Sequence, residues 1–232
     1  MYICAKCSTF VPLIVIGMEN NFTSQQEKIA KMLLTMRAFH LQSSTPFTFR
    51  NGWKAPFYLD DRKILSYIYS RNLVKIEMAH TILRHFPDAD VIAGIAPNAI
   101  AFGVLIAQDL GLPFVSVYHT PKKHGLENQI EGDVRPKQKV VLIENQILVG
   151  NDTSKAAEAL RANGCSVIGV VTLYDYELPS AARRLKNIDV PVQALTTHSA
   201  LIAAAEELQM FSHADMEALA QWHKSPQNWT KY

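Results

Sequence analysis

One stretch, Lys139 to Ala156, restricts the folds open to this chain. It reads Lys-Val-Val-Leu-Ile-Glu-Asn-Gln-Ile-Leu-Val-Gly-Asn-Asp-Thr-Ser-Lys-Ala. The apolar run Val140 to Ile143 suits a strand buried on both faces of a parallel sheet. Glu144 and Asn145 are expected to end that strand with polar groups at its carboxyl edge. A turn follows at Gly150-Asn151-Asp152-Thr153, with Asp152 read as a helix N-cap. A helical pattern runs from Ser154 to Asn163, with Ala156, Ala157, Leu160 and Ala162 on its apolar side and Gly164 closing it. Strand, polar edge, glycine turn and helix start together form a cradle for an anionic ligand.

The rest of the chain supports one α/β domain. Its 232 residues accommodate a sheet with two covered faces and a small subdomain. A net charge of +2 argues neither for nor against nucleic acid, but the absence of a basic stripe interleaved with aromatics argues against it as a partner. The three cysteines, Cys4, Cys7 and Cys165, do not make a disulfide framework. Cys4-x-x-Cys7 is half a zinc site with no second pair, so no metal site built from protein side chains is expected. Phe10 to Gly17 is apolar but far too short to span a bilayer, and it lacks the flanks of a signal peptide. Residues 1–17 read as an upstream extension before a more ordinary start at Met18, or alternatively as a short membrane-targeting piece. No other stretch approaches a membrane span, and a cytoplasmic protein without a membrane partner is expected.

Along the body, Ser24 with Glu27 forms a capping box. Ile29, Leu33, Met36 and Phe39 then follow at helical spacing until Thr45-Pro46 breaks the helix. Strand-forming residues flank Asn51-Gly52, a hairpin turn signal, and Arg50, Lys54 and Arg62 place cations around it. A helix is expected over 66–86, with Leu73, Ile76, Ile82 and Leu83 on its apolar side. Strand Val91–Ala96, helix Ala99–Leu110 and strand Phe114–Val117 come next. The polar stretch 118–132 lacks helical periodicity and carries His119, Lys122, Lys123 and His124, cations able to close over an anion. Strands at Ser166–Leu173 and Pro191–Leu195, then helices around Ala200–Leu208 and Asp215–His223, complete the chain. This alternation predicts a parallel sheet with helices on both faces.

From about residue 22 to Trp229 the chain resembles the orotate phosphoribosyltransferases. The likeness is carried by Phe47-Thr48, Asn51-Gly52, Pro56, Tyr58, Asp60 and Arg62. It continues in Gly94-Ile-Ala96, Leu110-Gly-Leu-Pro-Phe114, Pro121-Lys122, His124-Gly-Leu-Glu-Asn128, Ile130-Glu-Gly132, Lys139-Val-Val141, Glu158-Ala-Leu160 and Gly164-Cys165. The resemblance implies a type I phosphoribosyltransferase core (mainly 66–232) with a small N-terminal hood (mainly 18–65). It also implies phosphoribosyl pyrophosphate with Mg2+ as donor, orotate as acceptor, and a homodimer. Carried over residue by residue, Lys122, His124, Glu144 and Asn145 take the catalytic positions. Tyr118, His119, Val149, Gly150, Asn151, Asp152, Thr153, Pro97 and Asn98 take donor-binding positions. Arg50, Lys54 and Tyr58 take acceptor-binding ones.

Several of these positions depart from the family's pattern. The acidic pair at the strand edge is Glu144-Asn145. In the phosphate turn Val149 replaces a hydroxyl residue, Asn151 a glycine and Asp152 a serine. Tyr118 stands where the mobile loop has arginine, and Ala96-Pro97-Asn98-Ala99 replaces a glycine-containing pyrophosphate turn. Arg50 replaces a lysine. The expectation is a protein of pyrimidine metabolism with weakened or lost phosphoribosyl transfer. It would instead bind a nucleotide or related anion, or regulate an active paralogue as a heterodimer. The alternative is an active enzyme converting orotate and phosphoribosyl pyrophosphate to orotidine monophosphate and pyrophosphate. Asn145→Asp with Val149→Thr, Asn151→Gly and Asp152→Ser is expected to improve donor binding.

Overall fold

The computed structural model describes residues 25–42, 45–120 and 128–229. The Cys4–Cys7 pair, the 1–17 extension, the Ser24 cap, and Lys122, Lys123 and His124 lie outside these residues. A six-stranded sheet carries the fold, in the order β10-β9-β8-β5-β6-β7. Its strands are β5 (Val91–Ile95), β6 (Phe114–Val117), β7 (Ile130–Glu131), β8 (Lys139–Ile147), β9 (Ser166–Asp175) and β10 (Val192–Thr197). All neighbours pair in parallel except β7, which runs antiparallel to β6 at the edge. The short β7 lies inside the stretch read from sequence as one polar loop.

The pleat sends alternate side chains of β8 to opposite sides. Val140 and Leu142 enter a core with Ala156, Ala157 and Leu160 of α4 (Asn151–Ala162) and with Ala181 and Leu185 of α5 (Pro179–Asn187). Val141 and Ile143 enter the other core. There Val74, Met78 and Ile82 of α2 (Ile68–His85) meet Phe102 and Ile106 of α3 (Ile100–Leu110). The expected apolar side of α2 is partly wrong, since Ile76 is 42% and Leu83 57% exposed. Val74 and Met78, two residues either side of Ile76, fill the core in their place. Gly169 of β9 lets the Phe86 ring pack directly against the strand, because a Cβ there would sit 2.2 Å from the Phe86 Cζ.

Before the sheet, α1 (Gln25–Thr35) ends earlier than its apolar spacing predicts. Arg37 adopts a positive φ of 54°, which turns the chain. Phe39 then begins β1 (Phe39–Leu41), antiparallel to β4 (Phe57–Leu59). The Asn51-Gly52 hairpin forms as expected, joining β2 (Phe47–Thr48) to β3 (Lys54–Ala55). A 3-10 turn, Asp61–Ser66, links β4 to α2.

The C-terminal helices α6 (His198–Glu207) and α7 (His213–Lys224) close over this N-terminal layer. Phe57 meets Trp222 edge-to-face at 4.7 Å and stacks on Phe39 at 5.0 Å. The Trp222 indole N–H donates to the Lys54 carbonyl at 3.0 Å, so the buried indole has its partner. Helix α5 escaped the sequence reading although Pro179 stands in its first turn, a favoured place for proline. Among the described residues no helix is long and apolar enough to cross a membrane.

Candidate functional site

Strand β8 outruns its neighbour β5. The last β5–β8 pair is Gly94 with Ile143, while β8 stays paired to β9 as far as Ile147. Glu144, Asn145 and Gln146 are thus held in strand geometry with one edge free of β5, and do not terminate the strand as expected. A cleft of about 490 Å³ opens there, between the carboxyl ends of the sheet and the β2–β3 hairpin. Arg50, Tyr58, Asn98, Glu144, Asn145, Val149, Gly150, Asn151 and Asp152 line it, so nine sequence-selected residues meet in one place. Carboxyl ends of parallel strands are where open α/β sheets take their ligands.

The anion cradle has a different build from the expected one. Helix α4 begins at Asn151, three residues before the predicted start, and Gly150 is its N-cap in the left-handed region at φ 69°. Asp152 is therefore not the N-cap. It sits in the helix's first turn and forms an ion pair with Arg50, reaching from the hairpin across the cleft. Its carboxylate is favourably placed near the positive end of the helix dipole. Asn151 accepts from Arg184 of α5 at 2.8 Å. Thr153 is fully buried, and its hydroxyl donates to Glu144 Oε2. Removal from bulk water pushes the Glu144 carboxyl up to about 8, the Thr153 hydrogen bond opposes this, and the Asp152 charge adds to it.

Beneath the cleft lies a network that sequence reasoning missed. Asp61, 5% exposed, accepts from the Asn145 amide on one oxygen and from the Gln146 amide on the other. Asn145 also donates to the Asn98 carbonyl at 3.1 Å. Gln146 donates to the Leu59 carbonyl at 3.0 Å and accepts from the Tyr176 hydroxyl at 2.8 Å. Burial raises the Asp61 carboxyl from its ordinary range, and the two amides pull it back. Gln146 and Tyr176 line the cleft as well, with Phe49 and Thr48. The available signal for Gln146 was a third consecutive polar residue inside an otherwise apolar strand. For Asp61 the local sequence holds no signal beyond the Asp60-Asp61 doublet.

Other selected residues stand apart. Lys54 directs its ammonium to Thr48 Oγ1 at 2.6 Å and does not line the cleft. Pro97, which follows a cis peptide bond, and Thr153 are also outside its lining. Tyr118 and His119 follow β6, where the Tyr118 hydroxyl donates to Glu131 at 3.1 Å, and neither lines the cleft. Among the described residues no three His, Cys, Asp or Glu side chains gather as a metal site.

A mostly parallel sheet, helices on both faces and a cleft at the carboxyl ends beneath a small hairpin define the type I phosphoribosyltransferase class. Solved structures bear this out at the level of fold. Leishmania donovani UMP synthase matches with a TM-score of 0.72 at 22% identity, over 86% of this chain and 42% of that longer one. Mycobacterium tuberculosis orotate phosphoribosyltransferase, solved with 5-phospho-alpha-D-ribosyl 1-diphosphate, matches with a TM-score of 0.59 at 20% identity. That match covers 76% of this chain and 98% of that one. No protein-family model matches the chain.

The chain belongs to the orotate phosphoribosyltransferase family. It is 47% identical to the orotate phosphoribosyltransferase of Bacteroides thetaiotaomicron over 200 residues, covering 86% of this chain and 94% of that one. The expectation of lost transfer or a regulatory role finds no support in these likenesses, which favour the active alternative.

Proposed function

We propose that the protein transfers the phosphoribosyl group of phosphoribosyl pyrophosphate to orotate in the cytoplasm, yielding orotidine monophosphate and pyrophosphate. The carrying observation is the cleft in which the free edge of β8 meets the start of α4 beneath the hairpin. The close relatives named for this activity support it. The bond from the ribosyl carbon to pyrophosphate breaks, a bond from that carbon to the acceptor nitrogen forms, and that nitrogen gives up its proton.

Each part of the cleft has a task in this reading. Gly150 and the first N–H groups of α4 receive the phosphate. Glu144 and Asn145 face the ribosyl group, and Tyr58 with Arg50 borders the planar, anionic acceptor. Lys122 and His124 act on pyrophosphate from the 118–132 stretch. Magnesium neutralises pyrophosphate charge in such transfers and would arrive on the donor. Glu144 and Asp61 already have oxygens engaged by Thr153 and by the two amides, so no step is assigned to the metal. The hood at 18–65 and core at 66–232 belong to the same proposal. So does a homodimer, for which exposed Tyr67, Ile68 and Tyr69 offer apolar surface.

A second reading, slowed transfer with weakened donor binding, is favoured by one specific observation. The Arg50–Asp152 pair occupies the helix start that a phosphate needs. A heterodimer with an active paralogue belongs to this reading. The test is loss of orotate absorbance with phosphoribosyl pyrophosphate and magnesium. Turnover at ordinary enzyme rates, ~1–1000 per second, supports the enzyme. Saturable donor binding by calorimetry without turnover supports the second reading, and absence of both overturns each.

A further inference from the structure

The Asp61 carboxylate has no task in the reading above, yet two residues of the cleft wall depend on it. Its two oxygens serve two different amides, Asn145 and Gln146. The Asn145 nitrogen also points at the Asn98 carbonyl, 3.1 Å away. A carboxylate and a carbonyl only accept, so the chemistry sets the orientation of this amide. Its NH2 faces Asp61 and Asn98, and its oxygen is left over.

That oxygen, Asn145 Oδ1, is buried and has no hydrogen-bond partner among the described residues. Its residue is 3% exposed and lines the cleft. Gln146 next to it provides the contrast. Its nitrogen donates to Leu59 and Asp61, and its oxygen accepts from Tyr176, so nothing is left open. A buried acceptor without a partner is unfavourable, and a ligand donor at that point relieves it. A sugar hydroxyl has the required O–H.

We propose that Asp61 is a positioning residue, which holds the Asn145 amide so that its carbonyl oxygen receives a ribose hydroxyl of the donor. The ligand half of this inference rests on the phosphoribosyl reading. A carboxylate is needed because two amides require two independent acceptors. An amide at position 61 offers one oxygen and turns an NH2 to the other side, so one of the two amides loses its acceptor there; Gln146 keeps Leu59 and Tyr176, whereas Asn145 keeps only the Asn98 carbonyl.

The experiment compares Asp61→Asn with the unmodified protein in calorimetry with magnesium. The probes are phosphoribosyl pyrophosphate and inorganic pyrophosphate, which lacks the sugar. Asp61→Asn is expected to weaken the first by up to about tenfold, the upper end of one neutral hydrogen bond's worth, and to leave the second within about twofold. Equal weakening of both, or no weakening of the first, would overturn the proposal. A measurement on the unmodified protein keeps it falsifiable should the variant not fold. The Asn145 side-chain amide hydrogens, assigned by NMR, are expected to be held and slow to exchange. Fast rotation of that amide beside an intact preference for the sugar-bearing probe sinks the Asp61 clamp alone. Held amide hydrogens with no such preference sink the ribose contact and the phosphoribosyl reading with it.

Discussion

Replacing Asn145 with aspartate isolates what the network under the cleft requires. From the family pattern alone, Asn145→Asp restores a second acidic group and is one of four changes expected together to improve donor binding. The structure predicts a cost first. The new carboxylate would face Asp61, which now accepts from the Asn145 amide, and the Asn98 carbonyl, which does the same. Two attractive contacts become two repulsive ones. Like charges relaxing to about 4 Å at an effective dielectric near 20 repel by roughly 4 kcal/mol. That is a large share of a folding free energy of about 5–15 kcal/mol.

The deficit has a pH signature. Crowded carboxyls raise the folded-state pKa of one member of the pair. The native state then keeps a proton that the unfolded chain has released. Stability therefore falls as pH rises from the ordinary carboxyl range through the raised value. Asp61 of the unmodified protein is already raised by burial, so the quantity to follow is the difference between variant and unmodified protein. Urea unfolding between about pH 4.5 and pH 8.5 is expected to show that gap widening towards high pH. Adding Asp61→Asn should close much of it. An Asn145→Asp variant as stable as the unmodified protein at pH 8 would refute the assignment of Asn145 as a donor to Asp61.

Three further perturbations test the surrounding structure. Glu144, raised to about 8, holds a proton in the folded state that the unfolded chain loses in the ordinary carboxyl range, so its contribution to stability declines as pH rises from that range through about 8. Glu144→Gln is expected to flatten this part of the pH–stability profile, and an unchanged slope in urea unfolding would count against a raised Glu144 carboxyl. Asp152→Ser removes a carboxylate from the first turn of α4. Calorimetry should show tighter phosphoribosyl pyrophosphate binding, with a stability loss of at most ~1 kcal/mol because Arg50 is 66% exposed. Gly169→Ala drives a Cβ into the Phe86 ring and should cost about 1–3 kcal/mol by denaturant unfolding, unless Phe86 is also made smaller.

Much of the architecture was legible because it follows from periodicity and turn chemistry. The Val140–Ile143 run announced a buried central strand, and the Asn51-Gly52 pair announced the hairpin that roofs the cleft. Boundaries failed where tertiary packing overrode local pattern. Phe39 fits the spacing of α1, yet its ring stacks on Phe57, and Arg37 turns the chain to allow it. Ile76 and Leu83 are apolar but point outward, a choice that helical spacing alone cannot make when apolar residues occupy more than one face. Asp152 looked like a cap from its place before a helical pattern. The left-handed Gly150 moved the helix start forward and released that carboxylate to pair with Arg50.

The same limit applies at position 145. Read along the chain, Asn145 is a carboxylate that has lost its charge. Read in space, it is the donor required between a buried carboxylate 84 positions earlier and a backbone carbonyl 47 positions earlier. An aspartate at 145 cannot satisfy either acceptor while ionised, so the amide and Asp61 are chemically interdependent. The negative charge that the strand edge lacks is present a hydrogen bond away, below the cleft floor. In the proposed transfer, what the site does for a cationic ribosyl group therefore depends on Asp61 and Asn145 as a pair. Single substitutions that restore the look of the motif at 145 should be weaker in effect than exchanges made at both positions together.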